Sequence, residues 1–163
     1  MKRLIGLDYG NERIGVAVSD ATRTLASPHS VIRHQGWGPT AEKVSGLMEE
    51  LGAEYIVMGL PRNMDDSLGP QAREVMGFAK RLTEKGIRVE LVDERLSSVE
   101  AGEKLKESGL SALESRKRID QAAAALILQD YLDRLDLNQT RGAPLLEYAD
   151  FLLWHLQYGE LAS

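Results

Sequence analysis

Apolar residues come in short runs separated by glycine, proline and polar clusters, and each run fits one element. Leu4-Ile5-Gly6-Leu7 is an unbroken run ending at Asp8, which predicts a buried strand. Gly10-Asn11 is a turn signal, and Arg13-Ile14-Gly15-Val16-Ala17-Val18-Ser19 predicts a second strand in a hairpin with the first. A third strand is expected within residues 24–32, where Pro28 restricts it to an edge or bulged position. Residues 35–38 read as a loop. Pro39 opens a helix to about residue 51, and Gly52 stands where a C-terminal cap glycine belongs. Tyr55-Ile56-Val57-Met58 predicts a fourth strand, and residues 59–69 a polar loop containing Pro and Gly. A helix follows from 70 to about 85, ended by Gly86; Arg88-Val89-Glu90-Leu91-Val92 predicts a fifth strand terminating at Asp93-Glu94-Arg95. Ser97 with Glu100 has the form of a capping box and opens a helix to about residue 107, stopped near Gly109. The longest helix is expected over about 115–135. A loop through Gly142 and Pro144 then precedes a last amphipathic helix over about 145–158.

Three strands with no helix between them, followed by alternating helix and strand, predict an α/β fold with a mixed five-stranded sheet. An antiparallel meander joins parallel strands, and helices flank the sheet. This is the ribonuclease H-like arrangement, shared with the actin-like ATPases. A purely parallel doubly wound sheet fits less well, because no helix separates the first three strands. Residues 1–138 are expected to form this domain, and 139–163 an extra C-terminal helical extension packed on it.

At 163 residues the chain has room for one sizeable core, and its 43% apolar and 28% charged shares are ordinary for a globular protein. The absence of cysteine excludes disulfides and thiolate zinc sites and fits a reducing compartment. The first residues lack the apolar stretch of a secretory signal, and the most apolar run, 122–128, is far short of the roughly twenty residues that cross a bilayer. No membrane association is expected. The net charge of −5 runs against a uniformly basic nucleic-acid binder. A site that gathers metal ions must itself be acidic, however, and Arg116, Lys117 and Arg118 form a local basic cluster.

Three acids stand out by context. Asp8 closes an apolar strand, Glu94 closes another, and Asp120 sits early in the Ala-rich helix. Ligands collect beyond the C-terminal ends of strands in α/β sheets, so two strand ends and a covering helix bring acids to one place. Ala123, Ala124 and Ile127 lie three, four and seven positions beyond Asp120 and share its helix face. An acid on that face needs either a bound metal or a cationic neighbour such as Arg13 or Lys117. Asp8 alone also fits a turn-forming residue at a strand end. Adjacent strand residues point to opposite faces, so only one of Asp93 and Glu94 faces the site; Glu94 is the candidate, with Asp93 behind it or as an alternate ligand. Carboxylates suit Mg²⁺ or Mn²⁺, which prefer oxygen. His29, His34 and His155 show no metal-binding spacing and read as structural or exposed. In the loop from Gly59 to Pro70, Arg62, Asn63 and Ser67 stand before a helix N-terminus, where they either contact phosphate or simply cap a surface loop.

Four blocks together resemble the YqgF (RuvX-type) family: Gly6-Leu7-Asp8-Tyr9-Gly10 with Arg13-Ile14-Gly15-Val16-Ala17; Gly59-Leu60-Pro61 with Asn63-Met64-Asp65; Asp93-Glu94-Arg95-Leu96-Ser97-Ser98; and residues 117–132 with Asp120-Gln121-Ala122-Ala123-Ala124 and Ile127-Leu128-Gln129. That family is similar in fold to the Holliday-junction resolvases. The resemblance implies catalytic metal ligands at Asp8, Glu94 and Asp120, Mg²⁺ or Mn²⁺ as cofactor, and a cytoplasmic nuclease processing the 5′ end of pre-16S rRNA in ribosome biogenesis. It leaves open a resolvase acting on branched DNA, a non-catalytic ribosome- or transcription-associated module, contact with ribosomal particles, and a monomer or a homodimer. Arg13, Arg95, Arg116 and Lys117 join Arg62, Asn63 and Ser67 as candidates for nucleic-acid contact. A nucleotide-dependent switch like the actin-like ATPases ranks last, because the chain is short for a two-lobed cleft. Two departures stand out. Asp66 replaces the family's usual Gly, making that loop more acidic, and the segment after Gly142 extends beyond the usual end of the family. Leu145, Tyr148, Leu152 and Leu156 there suggest a helix docked on its own domain or on a partner.

Overall fold

The computed structural model describes the backbone of residues 2–61, 68–94 and 112–141, with side chains over the same residues except 94, 112–113 and 136–141. Strands β1 (Arg3–Tyr9), β2 (Arg13–Ser19) and β3 (Ala26–Arg33) come first. Helix α1 (Trp37–Leu51), strand β4 (Ala53–Pro61), helix α2 (Pro70–Glu84) and strand β5 (Val89–Glu94) follow, and helix α3 (Ala112–Arg141) closes the described chain. The sheet order is β3-β2-β1-β4-β5. β1 pairs antiparallel with β2 and parallel with β4; β2 pairs antiparallel with β3, and β4 parallel with β5. The mixed five-stranded sheet expected from the hydrophobic pattern is present.

Both faces of the sheet are covered, which is why β1 and β4 read as continuous apolar runs. Ile5, Leu7, Tyr9, Ile56, Met58 and Leu60 pack with Phe78 and Leu82 under α1 and α2. Alternating with them, Leu4, Ala17, Tyr55 and Val57 pack with Ala124, Ile127, Leu128 and Tyr131 of α3. The face of α3 that carries Ala123, Ala124 and Ile127 is therefore buried as its spacing predicts.

The boundaries differ from the sequence expectation where tertiary pairing extends an element. β4 runs on through Gly59-Leu60-Pro61, because Gly59, Leu60 and Pro61 pair with Val92, Asp93 and Glu94. β5 runs to Glu94, the acid expected to close it. α1 begins at Trp37 after Gly36, and α3 starts at Ala112 and continues past Leu135. Pro28 lies on an edge strand as expected, beside a bulge. Val16 pairs with Ser30 and Ala17 with Pro28, which leaves His29 as the extra residue. The expected helices over 97–107 and 145–158 lie outside the described residues, as does most of the 139–163 extension.

Two glycines set how near α3 comes to the sheet. A Cβ on Gly15 would stand 1.9 Å from the Asp120 carbonyl oxygen, and one on Gly6 would stand 2.7 Å from Leu128 Cβ and 3.0 Å from the Ala124 carbonyl oxygen. Gln129 completes the docking. Its amide oxygen accepts from Ala26 N–H at 2.9 Å and its amide nitrogen donates to the Thr24 carbonyl at 3.0 Å, so α3 also grips the edge strand by its backbone. The turn before β3 is held by Asp20, whose carboxylate accepts from Thr22 Oγ1, Thr24 N–H and Leu25 N–H.

Gly15→Ala forces a methyl group into main-chain atoms that cannot move independently, so it destabilises by about 3 kcal/mol, the upper range for overpacking. Gly46, in α1 with nothing within 4 Å, is the contrast, and Gly46→Ala stabilises by about 1 kcal/mol through helix propensity. Urea midpoints of the two variants check both; equal effects would contradict the close packing. The hydrogen bonds to Asp20, led by Thr22, hold its carboxyl at a pKa of about 2. A depressed folded value means that its stabilising effect is complete above the unfolded value of about 3.9 and disappears as pH falls toward 2. Acid titration of Asp20→Ala should lack that component, and carboxyl NMR of the parent should place the Asp20 midpoint near pH 2.

Candidate metal centre

Asp8 stands at the C-terminal end of β1, directly opposite Gly15 of β2. Directly paired residues on antiparallel strands project from the same face. Gly15 faces α3, and so does Gly6, two residues before Asp8. Asp8 is thus on the α3 side of the sheet and half-buried, and the main chain of α3 at Asp120 rests on its ladder partner Gly15. The small residues let the α3 backbone at Asp120 descend onto β2, the strand paired with that of Asp8.

Asp120 is half-buried and pairs with Arg13, whose Nε donates to Oδ2 at 2.7 Å. The carboxylate in turn raises the Arg13 guanidinium pKa above its usual value. Of the two readings of Asp120, the ionic pairing with Arg13 is therefore present. It engages one of the two carboxylate oxygens. A hard divalent cation takes oxygen ligands singly as well as in pairs, so the donor set fits such an ion with Arg13 still in place.

Glu94 lies at the last position of β5, in register with Pro61 of β4. β4 separates β1 from β5, so two strand spacings, about 10 Å, lie between the strand of Asp8 and that of Glu94. The Glu94 side chain lies outside the described residues. Among the described residues no three His or acidic side chains are gathered as a metal cage. Arg62, Asn63, Ser67 and Arg95 also fall outside them. Arg116 and Lys117 are exposed early in α3, and Asp93 is exposed at the end of β5.

The opposite face clamps the end of β1. The Tyr9 hydroxyl accepts from Trp37 Nε1 at 3.0 Å and lies 2.7 Å from His34 Nε2. Gly36 N–H donates to His34 Nδ1 at 3.0 Å, which makes Nε2 the protonated nitrogen and the donor to Tyr9. Burial, and secondarily Glu74, push the Tyr9 hydroxyl above its ordinary pKa, so it stays a neutral anchor. Trp37 lies over Gly77, where a Cβ would stand 2.3 Å from the indole ring. The Gln71 side-chain amide donates to the Tyr9 carbonyl at 3.2 Å. None of Tyr9, His34, Trp37 or Gln71 was legible as a support for Asp8, because residues 9, 34, 37 and 71 share no sequence period.

A family model described as Holliday junction resolvase, RuvX, matches residues 2–134. The chain belongs to the RuvX family. Its relatives include the "Putative pre-16S rRNA nuclease" of Moorella thermoacetica, 46% identical over 137 residues that cover 83% of this chain and 98% of that protein. A protein of the same name from Anaeromyxobacter sp. is 45% identical over 132 residues, covering 80% and 96%. In fold the RuvX-family chain resembles T. thermophilus RuvC, solved in complex with Holliday junction substrate, with a TM-score of 0.52 at 12% identity over 83% of this chain and 97% of that one. At that identity the likeness concerns the fold alone.

The Arg13–Asp120 contact yields its own expectation. A double-mutant cycle of Arg13→Ala and Asp120→Asn should give a favourable coupling of about 1 kcal/mol for a half-buried ion pair. A coupling of zero in urea denaturation would mean that Arg13 does not hold Asp120 in solution.

Proposed function

We propose that this RuvX-family protein is a divalent-metal-dependent nuclease that hydrolyses phosphodiester bonds at the α3 face of the sheet, processing the 5′ end of pre-16S rRNA. The supporting observation is the descent of α3 onto Gly15, which brings the backbone at Asp120 against the ladder partner of Asp8. Asp8, Asp120 and Glu94 hold the ions, Mg²⁺ or Mn²⁺, through carboxylate oxygens. Divalent ions held there would supply activation of a water and charge stabilisation of the departing oxygen. Arg13 keeps the Asp120 carboxylate oriented through Oδ2. The half-buried positions of Asp8 and Asp120 limit competing water around the acids. The names of the Moorella and Anaeromyxobacter relatives support RNA as substrate, and cytoplasmic work in ribosome biogenesis follows from that substrate. Arg62, Asn63, Ser67, Arg95, Arg116 and Lys117 are proposed to contact the nucleic acid.

A second reading, cleavage of branched DNA, is favoured by the family description and by the fold shared with RuvC. A resolvase must cut two strands, so it would need two sites and hence a homodimer.

Asp8→Asn, Asp120→Asn and Glu94→Gln should each lower Mg²⁺- or Mn²⁺-dependent cleavage of a 5′-extended 16S rRNA fragment by about 100-fold or more. The same proteins, assayed on a four-way DNA junction, separate the two substrates. Undiminished cleavage by a folded Asp8→Asn, Glu94→Gln double variant would rule the metal-nuclease reading out.

A further inference from the structure

Next to the Arg13–Asp120 pair the structure contains an open cleft of about 1030 Å³. It lies where the ends of β2 and β3 meet the start of α3. Among the described residues Arg13, Arg33 and Lys117 line it with three cations against one acid, Glu12. His29, on the β3 bulge, and Gln121 add polar groups.

This concentration of positive charge runs against both the chain and the local fold. The protein carries a net charge of −5. Arg13 and Arg33 are direct partners in the β2–β3 ladder, and like charges placed directly opposite destabilise a sheet. Lys117 and Gln121 stand one helical turn apart on α3, on either side of Asp120, so the helix presents them to the same cleft. Arg13 has Asp120 as a partner and a longer contact to Glu12 at 3.5 Å. The volume is at the upper end of what one small ligand fills, and the cleft is open to solvent rather than enclosed. Such a trough suits an extended polyanion.

We propose that this cleft seats the sugar–phosphate backbone of a single nucleic-acid strand, with Arg33 and Lys117 on neighbouring phosphates. Arg13 joins the two sites: its Nε holds Asp120 while its side chain lines the trough. A strand lying there passes beside the Arg13–Asp120 pair. The proposal deepens the nuclease reading and rests on it for the identity of the ligand. It adds Arg33, which no motif in the sequence marks, and His29 of the β3 bulge.

Binding of a fluorescein-labelled single-stranded RNA 12-mer, without metal, tests it. Anisotropy is followed from low to physiological salt in the full chain. Arg33→Ala and Lys117→Ala should each weaken binding about tenfold, the loss of a hydrogen bond to a charged group. Each should also lower the slope of log K against log salt by about 0.7, one phosphate contact on a single strand. Arg33→Lys should keep the slope, and Arg81→Ala, at the end of α2, should change neither quantity. Unchanged binding in both alanine variants would overturn the proposal, and so would failure of the parent to bind any labelled strand. Equal displacement by polyglutamate of matched charge would also overturn it, by showing an unspecific anion surface. A DNA 12-mer of the same sequence tells whether sugar identity matters; binding of either strand with these losses upholds the cleft. Binding lost on substitution with no cleavage under Mg²⁺ or Mn²⁺ sinks the nuclease reading and leaves the cleft standing. Cleavage retained with unchanged binding does the reverse.

Discussion

Helix α3 lies so close to β1 and β2 that one methyl group at Gly15 would occupy the Asp120 carbonyl oxygen. Everything proposed for this face depends on that separation. At ordinary helix-on-sheet distance, with side chains between the layers, Asp120 would stand a layer above Asp8 and the two could not share a cation. Gly6, Gly15, Ala123 and Ala124 remove the intervening atoms, and main chain packs on main chain. Gln129 fixes the helix along the edge strand by bonding Ala26 and Thr24, so its position is set in two directions.

The price of gathering carboxylates on an acidic protein is mutual repulsion, and Arg13 offsets it. Its side chain is bonded to Asp120 and also lines the cationic cleft. Negative charge is thus held on the helix-covered part of the sheet and positive charge at its β2–β3 margin. A substrate strand that is itself polyanionic is drawn to the margin while the ions sit further in. This separation makes the total of −5 a poor guide to partners: what matters is the field near the site, which spans about 8 Å at physiological salt.

Under the sheet, the α1–α2 layer supplies rigidity. The Tyr9 hydroxyl takes hydrogen bonds from Trp37 and His34, and Gln71 takes hold of the Tyr9 carbonyl. Asp8 therefore precedes a residue fixed on both side chain and backbone. A strand end normally frays; here it is anchored through the face opposite the one that bears the chemistry.

The order of strands, the mixed sheet, the buried stripe of α3 and the candidacy of Asp8, Glu94 and Asp120 were all legible in the sequence. Each rests on a local regularity: period two or 3.6, a glycine at a helix end, an acid closing an apolar run. Pro28 even announced the edge strand and its bulge. What lay hidden was everything that joins distant segments. The extension of β4 through Pro61 comes from its pairing with β5. Arg13 and Asp120, 107 residues apart, were one of several possible pairs until packing selected them. Arg33 became part of a basic trough only because β3 lies beside β2 and α3 crosses both. Spacing along a chain encodes which face a residue occupies; which faces then meet, and how closely, is set by the volumes packed between them.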